Sequence, residues 1–217
     1  MPVEPTYPTS APPPEVIPLG PLTLRRWRTD DVAELDAVVQ RSVDHLRPFM
    51  GWAPTSTPDE IAAFLGRARA QWEARTAYGF ALTLPATGAV VGSGALMGRL
   101  GPGALEIGYW VAADATGRGF ATLATAGLTR AGLALPGVER IEVHHDVANT
   151  VSARVPAKLG FTRIGESEVE VEAEAETGVL VVWSIDREQW STSPGARLLA
   201  EERTFMIDGD SGTSQRS

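Results

Sequence analysis

The sequence predicts a mixed α/β domain, and three observations carry that expectation. Apolar runs of strand length alternate with amphipathic segments of helix length. Capping residues, prolines and glycines separate them. The elements read in the order β-α-α-β-β-β-α-β-α-β-β, which calls for a central sheet with helices packed on it.

The first strand is expected at Leu22–Trp27, where Leu22, Leu24 and Arg26 alternate with Thr23, Arg25 and Trp27. A helix follows over "TDDVAELDAVVQRSVDHL", with Thr29 or Asp30 as its cap and Val32, Leu35, Val38, Val39, Val43 and Leu46 at helical spacing. A loop rich in aromatics and prolines, "RPFMGWAPTSTP", leads to a second helix, "PDEIAAFLGRARAQWEAR". Thr57, Pro58 and Glu60 form its capping-box signature. Residues 78–84 and 89–97 read as a hairpin joined through "PATG". "ALEIGYWV" (104–111) is a further strand, and 119–133 a helix. "RIEVHHDV" is a strand, "TVSARVPAKLG" a short helix stopping at Gly160, and Phe161–Ile164 and 178–185 the last strands. "ESEVEVEAEAE" (166–176) has glutamate at every even position, so period two predicts a strand with one acidic face. Such a row either draws cations or, more commonly, is solvated and guards an edge.

Residues 1–18, with many prolines and little apolar periodicity, are expected to form a disordered or extended lead-in, and 206–217 a disordered tail. The folded body is then a single domain over 19–205.

The bulk numbers narrow the function classes. The 217-residue chain is 43% hydrophobic and 21% charged, a globular composition. It has no cysteine, which excludes disulfides, thiolate metal sites and a cysteine nucleophile, and fits a cytoplasmic protein. The net charge of −8 argues against a nucleic-acid partner. No basic, apolar leader opens the chain, and no run approaches the ~20 apolar residues of a membrane span. Three histidines without ligand spacing imply no metal site. His144 and His145 point to opposite faces of their strand and read best as structural.

"TGRGFA" (Thr116–Ala121) follows one strand and opens a helix. Unpaired amides at a helix start carry partial positive charge, and glycines let a ligand approach the backbone, so this loop is a diphosphate candidate. Arg118 adds charge at its rim. It is not a P-loop, since no Gly-Lys-Ser/Thr is present, and position 122 is Thr122 where a dinucleotide fingerprint needs glycine. Taken alone, the stretch fits an ordinary turn equally well.

Its surroundings sharpen the reading. "EIGYWVAADATGRGFATLATAGL", then "VERIEVHHDVANTVSARVPAKLGF", with "HLRPFMGW" before and "GVLVVWSIDREQW" after, resembles the GCN5-related N-acetyltransferase (GNAT) superfamily, in its RimJ/RimL-like branch. The resemblance covers about residues 20–190. It implies an α/β GNAT fold, with a mixed central sheet of about six to seven strands, helices on both faces, and a splayed pair of parallel strands that binds acyl-CoA. It implies acetyl-CoA or another acyl-CoA as cosubstrate, a primary amine as acceptor (a protein N-terminus or a small molecule), and admits a homodimer.

Carried over, the main chain of Tyr109, Trp110 and Val111 would pair with pantetheine, and the 117–121 amides (Gly117, Arg118, Gly119, Phe120, Ala121) would hold the pyrophosphate. Thr116 stands where the family prefers Gln or Arg. Asn149 would hydrogen-bond pantetheine and Ser152 would protonate the leaving thiolate; both also suit a helix cap. Glu106, on one strand face with Gly108 and Trp110, is the candidate general base; its competing role is a paired sheet-face carboxylate. Arg47, Phe49 and Trp52 are the candidate acceptor-pocket residues, unless they only pack the opening helices. Two alternatives remain open: a larger acyl donor such as succinyl-CoA, and a non-catalytic acyl-CoA-binding regulatory module.

Overall fold

Prolines hide the first strand of this protein. In the computed structural model, which describes residues 7–210, Val16–Leu19 form β1. It pairs antiparallel with β2 (Leu22–Arg26) at the outer edge of the sheet, with Pro18 opposite Thr23. An edge position tolerates the missing proline N–H. The boundary expected at residue 19 therefore falls inside a strand. Further upstream, Tyr7 N–H donates to Gly98 O (2.6 Å) and Thr9 N–H to Arg75 O (3.0 Å), and the Thr9 hydroxyl meets the Tyr78 phenol. The expected lead-in thus lies along the domain from residue 7 onward. Residues 1–6 and 211–217, the outer parts of the expected lead-in and tail, lie outside the described residues.

The other strands are β3 (Ala77–Thr83), β4 (Val90–Met97), β5 (Ala104–Val111), β6 (Arg140–Asp146), β7 (Thr162–Glu168) and β8 (Val179–Asp186). They form one eight-stranded sheet in the order β1-β2-β3-β4-β5-β6-β8-β7. Only β5 and β6 pair in parallel; every other pairing is antiparallel. The expected six to seven strands become eight because β1 joins them.

The first helix is interrupted. α1 (Val32–Gln40) ends before Ser42, and α2 (Val43–Leu46) starts after it. The buried Ser42 hydroxyl accepts from Ala113 N–H (3.1 Å), which anchors the break to the segment after β5. The cap also differs from the expected Thr29 or Asp30: Asp31 takes the N-cap position without a side-chain cap bond, because its carboxylate holds Arg25 in a two-pronged pair (2.7 and 2.8 Å). α3 (Pro58–Ala74) has the expected capping box: Glu60 N–H donates to Thr57 Oγ1 (3.3 Å) and Thr57 N–H to Glu60 Oε2 (2.8 Å).

α4 (Phe120–Leu133), α5 (Thr150–Leu159), α6 (Arg187–Thr192) and α7 (Pro194–Asp210) complete the fold. The strand period sorts the helices onto two faces. On β4, the Ser93 hydroxyl accepts from Trp27 Nε1 (3.2 Å) on the α1/α3 side. Its neighbour Gly94 lies beneath Leu128 of α4 on the other side. α4 is buried along most of its length, and the hydroxyls of its buried Thr125 and Thr129 donate to carbonyls one turn back (2.8 and 2.7 Å). α7 runs past residue 205, where the body was expected to end.

The acidic row departs from expectation. β7 stops at Glu168, opposite the first residue of β8, Val179, so 169–176 has no partner strand to extend along. The segment curls instead. Glu176 Oε2 accepts from the amides of Glu172 and Ala173 (2.8 and 2.9 Å), and Ala175 N–H donates to Pro48 O (2.9 Å). Six alternating glutamates cannot stay on one strand face without a ladder to repay their repulsion.

Candidate active site

The site begins where two parallel strands part. β5 and β6 pair from Ala104↔Arg140 to Ile107↔Val143 and no further. Beyond that point β5 stays paired with β4 as far as Val111↔Gly92, and β6 with β8 as far as Asp146↔Leu180. Gly108–Val111 and His144–Asp146 therefore turn backbone edges toward a wedge with no ladder across it. Such an edge accepts an extended ligand as an added strand would pair.

At the wide end of this wedge lies the Thr116–Ala121 loop. Gly117 (φ 73°) and Gly119 (φ 78°) both adopt the left-handed conformation, and Gly119 is the N-cap of α4. The first helical bond runs from Leu123 N–H to Gly119 O (3.0 Å). Among the described residues, the amides of 117–121 donate no hydrogen bond of good geometry. A Cβ on either glycine would meet no atom within 4 Å, so the glycines serve backbone shape and leave open space over the amides. Arg118 lies exposed at the rim, its guanidinium 4.7 Å from the centre of the Phe120 ring. The Thr116 hydroxyl donates to Ala113 O (3.0 Å) and so closes the preceding turn. Bare amides, a helix start and a rim cation suit a diphosphate.

On the α5 side of the wedge, Asn149 Oδ1 accepts from Ser152 N–H (3.1 Å), capping the helix. The Ser152 hydroxyl lies 2.9 Å from the Tyr109 phenol oxygen. Burial pushes this phenol up to about 12 and outweighs the opposite effect of the Ser152 bond, so Tyr109 stays protonated at neutral pH.

On the opposite face, Glu106 is buried at 4% exposure. Both its oxygens are held by the Arg99 guanidinium (2.7 and 2.5 Å), and His144 Nδ1 lies 3.7 Å away. His144 Nε2 meets Glu142 Oε2 at 2.9 Å, and Arg140 Nε donates to Glu142 Oε1 (2.8 Å). The His144 and Arg140 bonds, against the cost of burial, hold the Glu142 carboxyl below its usual range. The paired-carboxylate alternative for Glu106 is thus what its geometry shows, in a chain Arg99–Glu106–His144–Glu142–Arg140. His145 faces the other way, as expected: its Nε2 accepts from Trp183 Nε1 (2.9 Å), which leaves Nδ1–H to donate to Asp146 O (2.8 Å).

A cavity of about 710 Å³ opens between the sheet and α3, beside Gly108, Tyr109 and Trp110 of the unpaired β5 edge. Of the three residues expected in an acceptor pocket, Trp52 lines it, packed at 6.1 Å against Trp110. Arg47 and Phe49 do not line it. Arg47 pairs with Glu174 (3.4 Å) and Asp44 (3.7 Å), so its charge ties the loop to the curled acidic segment. Glu106 does not line the cavity either, although Gly108, two residues on, does. Sequence reasoning missed Trp27, Phe64 and Arg67 in the lining, and the Tyr109 side chain beside Ser152. The one available signal was the apolar face of α3 continuing into an exposed Phe64.

Residues 21–162 match the acetyltransferase (GNAT) domain family. The chain belongs to the GNAT family of acyl-CoA-dependent acetyltransferases. No curated protein matches it in sequence. Among solved structures, this GNAT protein resembles Mycobacterium smegmatis RimJ in complex with CoA-disulfide, at 25% identity and TM-score 0.74, over 89% of this chain and 95% of that one. RimL, a ribosomal L7/L12 α-N-protein acetyltransferase in complex with coenzyme A, shares the fold at 18% identity and TM-score 0.72, over 79% and 98%. So does the microcin C7 self-immunity acetyltransferase MccE, bound to acetyl-CoA and AMP, at 17% identity and TM-score 0.70, over 79% and 98%. The GNAT frame accounts for the one parallel pair in the sheet and for its parting. No helix among the described residues is long and apolar enough to cross a membrane.

Proposed function

We propose that this GNAT enzyme transfers the acetyl group of acetyl-CoA to a primary amine by direct attack on the thioester. The observation that carries the reading is the wedge between β5 and β6 with the bare 117–121 amides at its wide end. The donor's diphosphate would rest on those amides, beside Arg118, and its pantetheine along the Tyr109–Val111 edge. Coenzyme A complexes of RimJ and RimL, and the acetyl-CoA complex of MccE, support this choice of donor.

The chemistry needs two proton movements. The incoming ammonium must lose a proton before its nitrogen attacks the thioester carbon, and the departing sulfur must gain one as the C–S bond breaks. For the second, the Tyr109–Ser152 pair is suited. In this scheme the protonated phenol, 2.9 Å from Ser152 Oγ, is the donor of that pair, which would leave the Ser152 hydrogen for the departing sulfur. For the first, Glu106 is the proposed acceptor. It stands on the cavity face of β5 at the last stretch of parallel pairing, with His144 at its side. Asn149, its Oδ1 engaged by the cap, keeps its amide N–H groups for pantetheine.

Exchange of Glu106 for glutamine tests the scheme. Loss of a general base lowers kcat by about 10²–10⁴-fold. The expected result for Glu106→Gln is a fall of that order with acetyl-CoA affinity kept in calorimetry. Unchanged kcat would assign Glu106 to the Arg99 pair alone.

A further inference from the structure

The fold leaves the acceptor open, but the cavity's own chemistry narrows it. We propose that the acceptor is a primary amine on a bulky aromatic body whose far end carries an anionic group, received by Arg67. The inference rests on the acetyl-transfer reading above.

Size is the first argument. A cavity of about 710 Å³ is in the range that encloses a drug-sized ligand. The amine of a small, polar residue would leave most of it filled with water.

The walls are the second. Trp27 and Phe64 meet edge to face at 6.4 Å, and Trp52 and Trp110 lie tilted at 6.1 Å, all four lining the cavity. Met50 and Met97 add flexible apolar contact. Phe64 is 37% and Trp52 44% exposed, so two large apolar side chains are left in water at the opening. Exposed apolar surface around a concavity marks a place where a ligand is buried. Aromatic pairs that meet at an angle suit a flat ring inserted beside them.

Charge is the third. The Ser93 hydroxyl donates to Phe80 O (3.2 Å) and accepts from Trp27. Thr55 donates to Trp52 O (3.3 Å), and the Glu60 carboxylate is engaged by Thr57. Arg67 and Gln71, one turn apart on α3, are different: both line the cavity and are exposed, and among the described residues their side chains meet no partner. The cavity therefore offers a free cation and no free carboxylate. A protein of net charge −8 has, at this opening, a site for an anion. Polyamines, which need carboxylates to receive their second ammonium, fit it poorly.

The chemistry has two sources, a free aromatic amine or an aromatic residue at a peptide N-terminus, and the test separates them. Thiol release from acetyl-CoA by the full chain is measured with phenethylamine, 4-(2-aminoethyl)benzoate, ethanolamine, spermidine, and short peptides beginning with phenylalanine or serine. Both phenethylamine-type amines are expected to exceed ethanolamine and spermidine in kcat/KM by tenfold or more, with the benzoate ahead of phenethylamine. Arg67→Ala is expected to erase the benzoate's advantage, Arg67→Lys to keep part of it, and Phe64→Ala to lower kcat/KM for both. Phenylalanine-first peptides that outpace both free amines assign the cavity to a peptide N-terminus; the reverse assigns it to a small molecule. Either result supports the aromatic site, and the Arg67 variants decide its anionic end: a benzoate with no advantage over phenethylamine, or one whose advantage survives Arg67→Ala, overturns that part. Equal or better turnover of ethanolamine, spermidine or serine-first peptides overturns this inference while acetyl transfer stands. No release with any acceptor, together with no acetyl-CoA binding in calorimetry, overturns the proposed function and this inference with it.

Discussion

Tyr109, a part-buried residue, bears on stability and, in the proposed scheme, on the chemistry. Its phenol is pushed up to about 12 from the usual 10.0 by burial. Below pH 10 the phenol is protonated in the folded and unfolded chains alike, and nothing is lost. Between 10 and 12 the unfolded chain ionises while the folded one resists, so stability falls as pH rises through that window, by about 3 kcal/mol in all. Tyr109→Phe is expected to remove this alkaline loss from denaturation curves and to lower kcat more than it raises KM. A purely structural role would leave kcat unchanged. Asp146 carries the opposite sign. Burial favours its neutral form, but bonds from the amides of Ala148, Thr177 and Gly178 and from the Thr177 hydroxyl prevail and hold the carboxyl below its usual value. Its stabilisation is present above the ordinary carboxylate range and is lost as pH falls through the folded value. In Asp146→Asn an amide cannot accept at both ends, so a buried amide on β8's approach loses its partner. Chemical denaturation is expected to show a loss of roughly 1–3 kcal/mol.

Among the elements, the α4 loop was the most legible in the sequence and the acceptor cavity the least. A loop that needs left-handed backbone at two positions must spell glycine there, and Gly117 and Gly119 do. Gly119→Ala would strain that backbone by about 1–2 kcal/mol without any side-chain clash. It is expected to weaken acetyl-CoA binding by tenfold or more in calorimetry. Thr116→Arg, at an exposed site beside Arg118, is expected to tighten binding a few-fold, as an added charge-assisted bond would. The cavity, in contrast, is assembled from Trp27, Phe64 and Trp110, which no local pattern connects. Arg47 illustrates the same gap: its sequence neighbours made it a candidate acceptor-pocket residue, but the curl of 169–176, invisible to a period-two reading, brings Glu174 to it. β1 was masked by prolines whose harm depends on edge position, a property of the assembled sheet.

For the whole molecule, one arrangement unites the pieces. The parting of β5 and β6 exposes backbone on the line between two faces of the sheet. One face carries Tyr109, Ser152 and the α4 loop, the proposed site of the thioester donor. The other carries the Arg99–Glu106–His144 cluster and, beyond it, the aromatic cavity proposed to receive the amine. The donor and acceptor would thus meet at the point where the ladder ends. The most direct measurement is thiol release from acetyl-CoA by the full chain across a panel of amines, with mass analysis of the product. Amine-dependent release with one acetyl group added to the acceptor is the predicted result. Acetyl-CoA binding without amine-dependent release for any acceptor would contradict the account and make the chain an acyl-CoA-binding module instead of an enzyme.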